Sequence, residues 1–67
     1  LTDLARLRLA RLLLGQEKAD EARALLDSTG KAYAAEVESI RGDIALFQGD
    51  VASARQAYER AQAAGMA

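Results

Sequence analysis

Residues 38–50 read ESIRGDIALFQGD. The stretch holds Arg41-Gly42-Asp43, a tripeptide that acts as a cell-adhesion signal when displayed on a mobile turn, and a second Gly-Asp at Gly49-Asp50. Spacing decides between the loop and the helix. Tyr33, Val37, Ile40, Ile44 and Phe47 recur in steps of four, three, four and three, so they share one face only if the tripeptide between Ile40 and Ile44 is itself helical. A glycine inside a helix costs about 1 kcal/mol relative to alanine. Gly42 therefore wants a packing reason, and close approach of a second helix supplies one. Gly49 ends the helix, and Asp50 suits the N-cap of the next, where its carboxylate can accept from unpaired backbone N–H groups.

Three further helices extend from this one. The first is expected from about Thr2 to Leu14, with Leu1, Ala5, Leu9, Leu12 and Leu13 on its core face and Gly15 as its cap. A second runs from about Lys18 to Ser28, burying Ala19, Ala22, Leu25 and Leu26, with Gly30 as C-cap. The helix of the opening stretch spans about Ala32 to Gln48. The last starts at Asp50, buries Val51, Ala54, Ala57, Tyr58 and Ala61, and fades at Gly65. No strand-like alternation competes. Short connections make successive helices antiparallel hairpins.

Shifting the chain on itself by 32 residues aligns Leu14 with Leu46, Gln16 with Gln48, Ala22 with Ala54 and Arg23 with Arg55. The same shift sets small on small at Ala10 and Gly42, and large on large at Leu26 and Tyr58. The matches cluster at the turn and at the start of each second helix, as two copies of one helix–turn–helix unit would place them. A plain four-helix bundle is the alternative.

Composition narrows function by exclusion. The 67 residues suffice for one small domain or a piece of a larger protein, and a chain that starts at Leu1 is expected to be a fragment. Apolar residues make up 51% and aromatics 4%, so the core is Ala and Leu. With no Cys and no His, neither a disulfide nor a thiolate or imidazole metal site is expected. Charged residues are 28% with a net charge of −1, so nothing draws the chain to nucleic acid. The longest leucine run, Leu12–Leu14, is far short of the ~20 apolar residues that span a bilayer. Ser28-Thr29-Gly30-Lys31 lacks the earlier Gly of a phosphate loop, has Ala32 where Ser or Thr should follow, and no strand precedes it. No nucleotide, cofactor or metal is expected. Asp20 with Glu21, and Glu36 with Glu38, have solvated helix-surface spacing and no nucleophile or base beside them, so no enzyme is expected. Arg6, Arg8 and Arg11 scatter around the first helix and read as a solvated face.

Gly42, Gly49-Asp50, Ala54, Tyr58 and Ala61 resemble a tetratricopeptide repeat: a small residue in the first helix, a Gly-Asp turn, and Ala, a large apolar residue and Ala in the second. Leu9, Ala10, Leu13, Ala22 and Leu26 give a degenerate first copy, with Glu17 where the turn Gly would be and Thr29 where the last Ala would be. The usual early Trp and terminal Pro are missing. The resemblance implies an all-α fold of two antiparallel hairpins stacked as an α–α superhelix fragment, with residues 1–30 as a degenerate first repeat and 31–67 as the second.

The runs LARLRLARLLLGQEKADEARALLD and ESIRGDIALFQGDVASARQAYERA are also similar to the ancillary SecYEG translocon subunits, the YfgM-like family. That likeness implies an inner-membrane protein of a Gram-negative bacterium with one N-terminal anchor, absent from this stretch. Its soluble periplasmic domain would touch the Sec translocon and periplasmic chaperones. Composition and spacing by themselves leave the cytoplasm open. By resemblance to tetratricopeptide repeats, a concave protein-binding groove is expected at Leu4, Leu7, Arg11, Leu14, Glu36, Ser39, Asp43 and Leu46.

The first helix is nearly encircled by apolar residues, because Leu4, Leu7 and Leu14 lie off its expected core face. A preceding repeat or a bound ligand would cover that surface; the competing function is a helical dimerisation or scaffold module in which that helix is buried by a twin. Two repeats fall below the three or so generally needed for independent stability, so the isolated chain is expected to self-associate or to be marginally stable. A monomer melting cooperatively above ~60 °C would contradict this.

Overall fold

A computed structural model describes residues 1–66. Four α-helices follow one another: α1 Asp3–Gly15, α2 Ala19–Asp27, α3 Ala34–Phe47 and α4 Val51–Met66. A single 3₁₀ turn, Lys31–Tyr33, leads into α3. The Arg41-Gly42-Asp43 triplet lies inside α3, and Gly42 is buried.

Helix α1 pairs with α2 and α3 pairs with α4, each as an antiparallel hairpin. Helix α3 leans on both helices of the first hairpin. The result is a slab of about 28 × 26 × 14 Å. Its core joins Leu7, Ala10, Ala22 and Leu26 of the first hairpin to Val37, Ile40 and Ile44 of α3. Leu26, Ile40 and Ile44 are the largest fully buried side chains, each stabilising the fold by roughly 1.5–3 kcal/mol relative to exposure.

The two hairpin turns are built alike. Lys18 N–H donates to Leu13 O at 2.9 Å and Asp50 N–H donates to Ala45 O at 2.9 Å. Glu17 N–H reaches Leu14 O at 3.0 Å, and Gly49 N–H reaches Leu46 O at 2.9 Å. Each pair is separated by the same 32 residues that align the two halves of the sequence. The left-handed residue that lets each chain reverse is Gly49 at φ 78° in the second turn and Glu17 at φ 63° in the first. These bonds satisfy carbonyls that a helix end leaves unpaired.

Several sequence expectations are corrected. Gly15 is the last residue of α1 rather than its cap, and the left-handed position falls two residues later on Glu17. Gly30 is extended, not a C-cap; α2 ends at Asp27 with Ser28 as its cap, and Gly30 lets the loop pass Asp3. The buried face of α1 runs through Leu7 and Ala10, whereas Leu1 and Leu12 are exposed. Phe47 and Val51, both expected inside, are also exposed. Helix α4 continues past Gly65 to Met66.

Candidate protein-binding groove

Helix caps set the frame. Thr2 Oγ1 accepts from Ala5 N–H at 3.2 Å and opens α1. Asp50 Oδ1 accepts from Ser53 N–H at 3.1 Å and opens α4. The Ser53 hydrogen bonds hold the Asp50 carboxyl below its ordinary value. Lys18, at the matching position of the first hairpin, offers no side-chain cap to α2.

Gly42 faces Tyr58. A Cβ at Gly42 would lie 2.7 Å from both Cδ1 and Cζ of the Tyr58 ring, so only glycine lets α4 approach this closely. The Tyr58 phenol then donates to Asp43 Oδ1 at 2.5 Å. That bond, with loss of solvent and the Asp43 charge, raises the phenol above its usual 10.0. Arg11 Nη1 stands 3.7 Å from the other Asp43 oxygen, tying α1 to α3. Arg41 bonds Asp27 of α2 at 2.8 Å, and Arg60 of α4 bonds Glu38 at 2.8 Å. Arg23 donates to Gln48 across the turns.

Arg11, Glu36 and Ser39 line one open cavity of about 370 Å³ with Ala35 and with Tyr58, Ala61 and Gln62. Asp43 joins them through Arg11 and Tyr58. Leu46 lies in a second cavity of about 320 Å³ whose other walls are mainly α4: Val51, Ala54, Arg55, Tyr58, Glu59 and Gln62. Leu4 is 44% exposed on α1. Leu14 is half-buried against the core. Leu7 is only 5% exposed; it is a core residue, which corrects its place among the groove residues.

Helix α4 was the part missed. Tyr58, Ala61 and Gln62 border the candidate groove, yet the spacing of Tyr58 and Ala61 reads as a core stripe, and only their half-burial reveals the exposed edge. Among the described residues, no group of three or more His, Cys, Asp or Glu side chains could hold a metal ion. No helix among them is long and apolar enough to cross a membrane.

The sequence matches the family model described as a tetratricopeptide repeat-like domain over residues 1–67. No curated protein and no solved structure matches it.

Proposed function

Because the chain belongs to the tetratricopeptide repeat-like domain family, whose members generally serve as protein–protein interaction modules, we propose that the α1/α3 face binds a protein segment. The observation that carries this reading is the 370 Å³ cavity in which Arg11, Glu36 and Ser39 from two hairpins meet the half-buried Tyr58 and Ala61. Opposite charges on one wall fix the direction of a bound segment, and the apolar wall takes its anchoring side chain. Leu4, 44% exposed and seven residues before Arg11 on α1, lies on the same helical face.

The finer reading is that of a translocon accessory domain in the periplasm, its anchor lying outside this stretch. Its support is the likeness of the LARLRLARLLLGQEKADEARALLD and ESIRGDIALFQGDVASARQAYERA runs to the SecYEG ancillary subunits. The partners are then the Sec translocon and periplasmic chaperones.

The test is capture of purified SecYEG or a purified periplasmic chaperone by the immobilised chain, compared with an Arg11→Glu/Glu36→Arg variant. Both side chains are exposed, so helicity should hold. Loss of capture with unchanged circular dichroism is the expected result. Undiminished capture by the double variant would remove the groove assignment, and capture by neither form would remove the translocon and chaperone partners.

A further inference from the structure

The chain already contains one hairpin-on-hairpin interface, and the 32-residue equivalence tells what its two outer faces would fit. Helix α3 presents Val37, Ile40 and Ile44 to the first hairpin, where Leu14, Ala22 and Leu26 belong to or pack on the same core. Their equivalents in the second hairpin are Leu46, Ala54 and Tyr58. These three, with Val51, line the open 320 Å³ cavity on the outer side of α4. Leu46 and Val51 are 49% and 58% exposed. Ala54 is 1% exposed at the base of this cavity and Tyr58 half-buried, so Leu46 and Val51 are the open part of a seat of the kind that the first hairpin fills with α3.

The opposite face carries the matching plug. The α1 equivalents of Tyr33, Val37 and Ile44 are Leu1, Ala5 and Leu12, and Leu1 and Leu12 are 77% and 58% exposed. Arg8 stands at the Ile40 position. Charge complements it: across the existing interface Asp27 holds Arg41 at 2.8 Å. The equivalent of Asp27 is exposed Glu59, on the rim of the cavity, and Arg8 neighbours the equivalent of Arg41, Leu9.

We infer that two copies of this chain associate head to tail, α1 of one seated on the α3/α4 face of the next, extending the stack already made between hairpins. The contact is heterologous, so each copy keeps one plug and one seat and growth does not stop at two. A contact made by a single helix is a weak interface, visible at high concentration. The seat shares Leu46 and Tyr58 with the candidate groove, but Leu12 and Val51, the residues tested, are not among the groove residues, so either idea can fail alone.

The experiment is sedimentation velocity of the wild-type chain, Leu12→Glu, Val51→Glu and an equimolar mixture of the two variants at about 0.5 mM, where even a Kd of hundreds of micromolar shows. Both sites are exposed, and circular dichroism checks that each variant folds. Wild type is expected to exceed twice the 7.1 kDa of one copy. Each variant alone is expected to stay monomeric. Their mixture should recover a species of twice one copy and no larger, because only one good plug meets one good seat. A monomeric wild type overturns the inference. So does Val51→Glu associating as wild type does, which would indicate an α1–α1 twin contact, and so does a mixture that stays monomeric.

Discussion

At Gly42 two opposing terms can be weighed. Alanine there gains up to about 1 kcal/mol of helix propensity, but its methyl would run into the Tyr58 ring, most closely at Cε1 and 2.7 Å from Cδ1 and Cζ, and overpacking of this kind costs about 1–3 kcal/mol. The ring cannot swing away without losing the Asp43 bond. Gly42→Ala is therefore expected to lower the urea midpoint despite its better propensity. The first hairpin shows the other solution, Ala10 aligned with the smaller Leu26. Adding Tyr58→Leu to Gly42→Ala recreates that pair and should recover most of the loss; additive effects of the two changes would contradict the contact. Tyr58 also gives a pH signature. Its raised folded value means that its stabilising contribution is full below 10.0 and is lost as pH rises through the folded value. The stability difference between wild type and Tyr58→Phe should therefore narrow above about pH 10, and Asp43→Asn, which takes away the carboxylate charge, should weaken that pH dependence.

The helices differ in how well the two turns are made. Glu17 holds a left-handed conformation that glycine adopts without a steric penalty. Glu17→Gly should raise stability by about 0.5–1 kcal/mol, read as a higher thermal midpoint, and Lys18→Asp should add about 1 kcal/mol by giving α2 the cap that Asp50 gives α4. No gain from either change would mean that the first turn is not the strained copy of the second. What the sequence disclosed depends on the element. Helix α3 was legible because Val37, Ile40 and Ile44 are separated by polar residues, so one face alone satisfies the period. Helix α1 was not, because leucines at 1, 4, 7, 9, 12, 13 and 14 satisfy several faces at once. The alignment of Ala10 with Gly42 held the missing information: a core face through a close-contact position takes in Leu7 and Leu14 rather than Leu9 and Leu12. Val51 fits the periodic pattern but lies on the uncovered side of α4, and Phe47 lies at the turn end beside Glu17–Glu21; periodicity says nothing about whether a neighbour covers either position.

At the scale of the molecule, the second hairpin touches the first chiefly through α3, and a slab 14 Å thin leaves little interior. The expectation that the isolated chain self-associates or is marginally stable follows from that geometry as well as from repeat number. Arg11 from one hairpin and Glu36 and Ser39 from the other share a cavity only because the hairpins stack. Of the candidate groove residues, Arg11, Glu36 and Ser39 share one cavity, whereas Leu7 is buried in the core, and the contribution of Tyr58, Ala61 and Gln62 depends on how α4 borders that face. The central claim is that two equivalent hairpins pack through one shared core with Arg41-Gly42-Asp43 inside a helix. A methyl-resolved nuclear Overhauser spectrum of the chain tests it most directly. Cross-peaks linking the Leu26 and Leu7 methyls of the first hairpin to Ile40 and Ile44 of the second are expected. Cross-peaks confined within each hairpin, with sequential contacts of an extended loop from Arg41 to Asp43, would contradict it.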